Sequence, residues 1–162
     1  MAQNKKKEDS YYMMRAIEQA EKALGKDEVP IGAVVVDPEG SIVARAYNNV
    51  HKKGCQTEHA EIRAIKKACK KIGDWRLNGY ALYVTLEPCS MCMGLIRLCR
   101  FSKLFFGADS PLFGYRLDND TDLDVYKKDT VKIQKGILAK ESVDILRRFF
   151  KKKRKESGKK QR

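Results

Sequence analysis

A chain of 162 residues, 43% of them apolar, can build one domain around a single core and leaves little room for a second. That apolar share excludes a disordered chain, and no apolar run approaches the roughly 20 residues needed to span a bilayer. The net charge of +13 is uneven: residues 147–162 hold ten basic residues against the single acid Glu156, a cationic arm that suits a polyanion, nucleic acid first, or is simply a solvated lysine tail.

Asp9 or Ser10 can cap a first helix, in which Met13, Ile17, Ala20 and Leu24 recur at helical spacing until Gly25 ends it. The β-branched run Ile31 to Val36 predicts a buried strand. Asp37-Pro38-Glu39-Gly40 is a turn, and Ile42 to Tyr47 returns as a second strand. Asn48 to Gln56 reads as a polar loop. A second helix starts near Thr57, carries the stripe Ile62, Ile65, Cys69 and Ile72, and stops at Gly73; Lys66, Lys67, Lys70 and Lys71 form its solvated face. Tyr80 to Leu86 predicts a third strand, Cys89 to Cys99 a third helix opened by Pro88, and Lys103 to Phe106 a fourth strand. Asp109 to Asp124 is rich in turn residues and acids. Val131 to Gln134 predicts a fifth strand, and Lys140 to about Arg154 a last helix with Val143, Leu146 and Phe150 inward. Strands alternating with helices indicate a layered α/β fold.

Five cysteines, an odd number, and a charged N-terminus without an apolar leader argue for a reduced, intracellular chain rather than a disulfide framework. The chemistry concentrates in two short segments, His59-Ala60-Glu61 and Pro88-Cys89-Ser90-Met91-Cys92, each at a predicted helix start. Cys89 and Cys92, three apart, lie on one face of a first turn, where the helix dipole favours the thiolates that bind metal. With His59 they make three ligands for Zn²⁺ and leave a fourth position for water, the mark of a catalytic site. Glu61, in the same turn as His59, can move protons between that water, a ring nitrogen and a leaving amine. Either half alone would mean little: Cys-x-x-Cys is also a redox pair or half of a structural zinc site. Their combination resembles the signature of zinc nucleobase deaminases. Cys55 and Cys99 lack ligand spacing and read as bystanders, Cys69 on the apolar stripe reads as core, and His51 in its loop reads as solvated. Asn48, ending strand two, could read a base edge or ribose as readily as be an ordinary turn residue.

Several stretches resemble the bacterial tRNA-specific adenosine deaminases of the cytidine deaminase-like superfamily: Glu28-Val29-Pro30-Ile31-Gly32-Ala33, Tyr47-Asn48, Thr57 to Ile62, Asp74-Trp75-Arg76-Leu77, Leu82 to Cys92, Gly107-Ala108, Gly136-Ile137-Leu138-Ala139 and Phe149-Phe150. The resemblance spans most of the chain. It implies a three-layer αβα sandwich around a five-stranded mixed sheet, and a cytoplasmic homodimer converting the wobble adenosine of a tRNA anticodon stem-loop to inosine. His59, Cys89 and Cys92 match the ligands of one zinc ion per chain, and Glu61 the proton shuttle. Asn48 matches a residue that contacts the target nucleoside, and Phe149 and Phe150 an aromatic pair near the anticodon loop. Asp109 and Ser110 open the loop that helps hold the anticodon strand, and here the chain departs from the pattern: the acid comes one residue early, a Lys is absent, and Asp109 to Tyr115 carries bulky residues where small ones are usual.

On this reading residues 1–154 form the deaminase domain and residues 155–162 a basic, disordered tail, with no membrane association. Two other readings compete. A deaminase of free cytosine, guanine or a nucleoside would share the chemistry without needing the arm. A zinc-stabilised nucleic-acid-binding module without catalysis would share the arm, but Glu61 and the missing fourth ligand count against it.

Overall fold

The structure of the protein, a computed structural model, describes residues 7–118 and 131–160. The chain runs through α1 (Asp9–Leu24), β1 (Gly32–Val36), β2 (Ile42–Tyr47), a short α2 (Val50–Lys53), a 3-10 turn (Gln56–Glu58) and α3 (Ala60–Ile72). It continues through β3 (Ala81–Leu86), α4 (Ser90–Leu98), β4 (Lys103–Ala108), a second 3-10 turn (Tyr115–Asp118), β5 (Lys132–Lys135) and α5 (Ala139–Lys160). The strands form one mixed sheet in the order β2-β1-β3-β4-β5. β1 is antiparallel to β2 and β3, whereas β3, β4 and β5 are parallel. With helices on both faces, this is the expected three-layer αβα sandwich.

The period-two alternation of each strand divides the core between the two faces. Ala33, Val35, Leu82, Val84, Leu104 and Phe106 pack with Ala60, Ala64, Ile65 and Ala68 of α3 and with Met93 and Ile96 of α4. Their neighbours Val34, Val36, Ala81, Tyr83 and Phe105 pack with Tyr12, Met13, Ala16 and Ile17 of α1. Every residue of β1 is therefore buried, as its uninterrupted apolar run requires. Gly32 lets α1 lie directly on β1: a Cβ there would sit 2.0 Å from the Ala16 carbonyl oxygen. β5 is exposed along its length, and Lys132 and Lys135 protect this open edge from further strand pairing.

Strand register decides where function can lie. Gly32 pairs with Tyr47, Ala33 with Val84, and Leu86 with Ala108, so the end of β2, the start of β1 and the ends of β3 and β4 share one end of the sheet. Asn48, Glu28, Glu87 to Cys89 and Asp109 all follow or precede these positions. Among the described residues, no helix is long and apolar enough to cross a membrane.

The elements differ from expectation in four places. Glu8, not Asp9 or Ser10, holds the cap position of α1, because Asp9 accepts a 2.6 Å hydrogen bond from the Tyr83 hydroxyl. The expected loop after Asn48 contains α2, a single turn too short to show periodicity, closed by Gly54 at φ 59°. The last helix does not stop near Arg154 but runs to Lys160, so residues 155–160 are helical rather than a disordered tail; Lys, Arg and Glu are good helix formers, and Glu156 reaches Lys152 at 3.8 Å and Lys153 at 3.4 Å. Its inward stripe is Ser142, Ile145 and Phe149, with Val143 and Leu146 only half-buried and Phe150 outside. Ser142 sets this register by seating against Gly107, where a Cβ would come within 2.3 Å of its Oγ. The part of the Asp109 to Asp124 loop beyond Asp118 lies outside the described residues.

Phe149 is 4% exposed and Phe150 46%. Phe149→Ala is expected to cost about 3–5 kcal/mol in urea unfolding, and Phe150→Ala no more than about 0.5 kcal/mol. Equal losses would reject this register.

Candidate metal centre

Two helix N-termini meet at the functional end of the sheet. His59 is the cap residue of α3 and Cys89 that of α4, both with extended backbone, and Cys92 lies in the first turn of α4. Their donor atoms converge: His59 Nδ1 is 3.6 Å from Cys89 Sγ and 3.5 Å from Cys92 Sγ, and all three ligand atoms lie within 4.8 Å of one another. A tetrahedral zinc with Zn–N of about 2.05 Å and Zn–S of about 2.3 Å has N···S edges of roughly 3.5–3.6 Å. The observed separations match that edge, so the site fits one zinc ion. Gln56 Oε1 lies 3.3 Å from His59 Nε2, where it accepts from the tautomer protonated at Nε2, the form in which Nδ1 offers its lone pair to the metal side.

The electrostatics suit a cation. The Cys89 thiol is pushed down to about 4, first by the hydrogen bond from Cys92 and further by His59, against its burial. Cys92 is pushed up by the same hydrogen bond and by burial. His59 is raised by its contact with Cys89. Glu61, in the first turn of α3 and 4% exposed, is raised by burial and touches the Cys92 thiol.

Of the other residues singled out from the sequence, Asn48 is buried at the end of β2, held by its backbone N–H on the Ile31 carbonyl and by its side-chain Nδ2 on Glu28 Oε2 at 3.4 Å. Asn49 donates to the Glu58 carbonyl, and Arg63 of α3 contacts both the Tyr47 carbonyl and the Glu58 carboxylate, the latter at 3.1 Å. The segment carrying Asn48 is thereby tied to the residue before His59. Asp109 is exposed and paired with Arg116 at 2.8 Å and Lys135 at 3.5 Å, while Ser110 is buried with its backbone N–H on Glu87. The polar groups of both are engaged in holding the loop. Phe149 belongs to the core and is not available to a substrate, a correction that leaves Phe150 as the exposed member of the pair. Cys55 and His51 are exposed, and Cys69 and Cys99 contact each other at the far ends of α3 and α4, away from the zinc ligands.

Sequence reasoning missed the acids that hold this end together. Glu87 is 3% exposed and accepts from Ser110 N at 2.9 Å and from both Arg116 Nε at 2.7 Å and Nη2 at 3.0 Å. Gly114 packs on it so closely that a Cβ would fall 2.4 Å from its carboxyl carbon. Tyr115 N–H adds a bond to the Pro88 carbonyl at 2.9 Å. The bulky loop after β4 is thus clamped to the two residues that precede Cys89. Nothing in the sequence pairs Glu87 with an arginine 29 positions away.

The profile of the cytidine and deoxycytidylate deaminase zinc-binding region matches residues 6–108. A tRNA-specific adenosine deaminase of Bacillus subtilis (strain 168) is 41% identical over 152 residues, covering 91% of this chain and 92% of that one. The structure superposes on a tRNA:A34 deaminase studied for A-to-I editing at the wobble position of transfer RNA, with a TM-score of 0.73, 36% identity, and coverage of 84% of this chain and 99% of that one. It also superposes on a guanine deaminase of Bacillus subtilis, with a TM-score of 0.61, 33% identity, and coverage of 75% and 76%. Fold and site define a zinc-dependent hydrolytic deaminase. The chain belongs to the cytidine and deoxycytidylate deaminase family, whose zinc-binding region it carries.

Arg116→Ala would take the guanidinium from the buried Glu87 carboxylate and leave it only backbone N–H donors, those of Ser110 and of position 116. Loss of this half-exposed partner is expected to cost about 1–3 kcal/mol in urea unfolding of the zinc-loaded protein. A change below about 0.5 kcal/mol would show that the clamp contributes nothing.

Proposed function

We propose that this protein converts the wobble adenosine of a tRNA anticodon to inosine by hydrolytic deamination, with one Zn²⁺ held by His59, Cys89 and Cys92. The observation that carries the reading is the pair of N···S separations at a tetrahedral zinc edge, with a buried carboxylate, Glu61, in the same first turn of α3 that His59 caps. Zinc bound there supplies Lewis acidity, which lowers the pKa of a water towards about 7. Glu61 takes a proton from the attacking water and gives it to the ring nitrogen next to the reacting carbon as the C–O bond forms; it then takes the proton of the new hydroxyl and gives it to the amine, which leaves as ammonia as the C–N bond breaks. Gln56 holds the His59 ring, and Asn48 orients the nucleoside.

The identity to a tRNA-specific adenosine deaminase supports tRNA as substrate, and with it a cytoplasmic location. The basic arm supports the same choice. Arg148, Lys151, Lys152 and Lys155, with Glu156, line a groove of about 330 Å³ on α5 that suits a phosphate. Lys152 and Lys153 also pair with Asp27, so the arm is anchored to the domain next to Glu28. Phe150, which is exposed, would be the member of the aromatic pair that meets an unpaired base. Residues 1–154 would be the catalytic domain and residues 155–162 its basic extension. Exposed Met91 and Leu98 of α4, with Leu112, Phe113 and Leu117 of the following loop, offer an apolar surface for a homodimer. Deamination of a free base is the second reading, favoured by the superposition on a guanine deaminase.

Mass spectrometry of anticodon stem-loops incubated with the enzyme separates the two: inosine at the first anticodon position is expected, and turnover of free guanine or cytosine with none on RNA would reject the tRNA reading. Glu61→Ala is expected to retain about one zinc per chain and lose turnover by at least about 100-fold. Cys89→Ala should lose both; metal analysis of the two variants checks the roles.

Deleting Lys151 to Arg162 should weaken tRNA binding and flatten its salt dependence, by roughly 0.7 in log–log slope for each lost contact to single-stranded RNA. Binding titrations at several salt concentrations test this; equal slopes for the full-length and truncated proteins would mean that the arm touches no phosphate.

A further inference from the structure

Glu28 lies outside the catalytic chemistry, yet it is 1% exposed and among the most deeply buried side chains of the molecule. Its two oxygens receive three N–H bonds. Oε2 accepts from Asn48 Nδ2 at 3.4 Å and from His51 N at 3.1 Å, and Oε1 accepts from Lys52 N at 2.6 Å. The last two donors are free N–H groups of the first turn of α2, so the carboxylate caps that turn. The first fixes an orientation. An amide facing two acceptor oxygens must turn its nitrogen towards them. Asn48 Oδ1 then points the other way; it bonds nothing among the described residues and is not one of the buried atoms lacking a partner, so it reaches solvent.

We propose that Glu28 is a positioning residue that locks the Asn48 amide with its oxygen outward, so that Asn48 offers the substrate an acceptor and selects a hydrogen-bond donor on the nucleoside. This rests on the assignment of Asn48 as a substrate contact. Two donors on an adenosine meet the requirement, a ribose hydroxyl and the exocyclic amine. With the amide free to flip, Asn48 would offer a donor and an acceptor by turns, and the site would lose both productive orientation and discrimination. Glu28 imposes one choice at no cost in unsatisfied groups, because all three of its bonds go to N–H donors that need an acceptor.

The test is a set of kcat/KM measurements on an anticodon stem-loop, with zinc content and Tm recorded for each variant. Glu28→Gln should lose about 10-fold in kcat/KM with zinc unchanged. In an Asn48→Ala background Glu28→Gln should cost nothing further, because Glu28 acts through Asn48. A role in folding alone would give the full loss in both backgrounds, and that result, or loss of zinc by Glu28→Gln, would overturn the proposal. The swap variant provides an independent check. Asn48→Asp sets two carboxylates face to face and should lose about 100-fold or more, whereas Glu28→Gln with Asn48→Asp restores an N–H donor between them, keeps an oxygen outward and leaves the net charge as in the native pair. Recovery of about 10-fold over Asn48→Asp alone is expected, and no recovery would overturn the assignment. A stem-loop with 2′-deoxyadenosine at the target names the donor: the Asn48→Ala penalty vanishes there if the donor is the 2′-hydroxyl and persists if it is the amine. Absence of RNA deamination by the unaltered enzyme would instead refute the tRNA reading and would be seen before any variant is compared.

Discussion

An imidazole nitrogen held about 3.5 Å from two sulfurs is the constraint that the rest of the molecule serves. Two thiols cannot sit side by side as thiolates without positive potential nearby, and the start of α4 supplies it through aligned backbone dipoles. The third donor must come from elsewhere in the chain, and it comes from the start of α3. Two helices can present their N-termini to the same point only if a sheet fixes their spacing. The parallel pair β3 and β4, with α4 as its crossover, places Cys89 beyond the end of β3. The antiparallel pair β1 and β2 delivers the chain back to the same end before α3 begins. The mixed character of the sheet is what lets a helix from each half open onto one site.

Close packing keeps that spacing rigid. α1 lies against β1 at Gly32 and α5 against β4 at Gly107, with no room for a Cβ at either place. The opposite face buries small residues of α3, Ala60, Ala64 and Ala68, against the sheet. Small side chains bring the helix axis near the strands and shorten the lever between core and site. Beyond the core, polar clamps finish the work: Arg63 ties Tyr47 to Glu58, Glu28 ties Asn48 to α2, and Arg116 ties the β4 loop to Glu87. Each clamp ends on, or within two residues of, a group assigned to the chemistry. A clamp at that distance controls direction, which packing of the core alone cannot do.

Local order made much of this legible in the sequence. Strands with a clear apolar run and helices with a stripe and a glycine stop appear within about two residues of their predicted ends. The zinc donors were legible because ligand spacing is local: Cys89 and Cys92 share a turn, and His59 and Glu61 share another. What escaped was set by tertiary contact. The register of α5 depends on Ser142 meeting Gly107, a pairing that helical periodicity cannot supply when Val143, Leu146 and Phe150 are as apolar as Ile145 and Phe149. The cap of α1 was missed because Asp9 is taken by Tyr83, 74 residues away. Glu28 and Glu87 look like ordinary surface acids until the fold gives them donors.

Three buried glutamates at one end of one sheet make the functional assignment more specific than burial alone would. Glu28, Glu61 and Glu87 are all 4% exposed or less. A carboxylate removed from water must be compensated, and the manner of compensation decides what it can do. Glu87 meets a guanidinium and backbone N–H groups, and Glu28 meets three N–H groups, so the oxygens of each are taken up by donors that need an acceptor. Such acids are scaffolding. Glu61 has neither an arginine nor a set of N–H donors; it touches a thiol of the metal-ligand pair, and burial raises its affinity for a proton. A group whose two protonation states are both tolerated by its surroundings can accept a proton and release it again within one catalytic cycle. The same end of the molecule therefore separates its acids by role: those satisfied by donors hold positions, and the one left without them is free to carry protons.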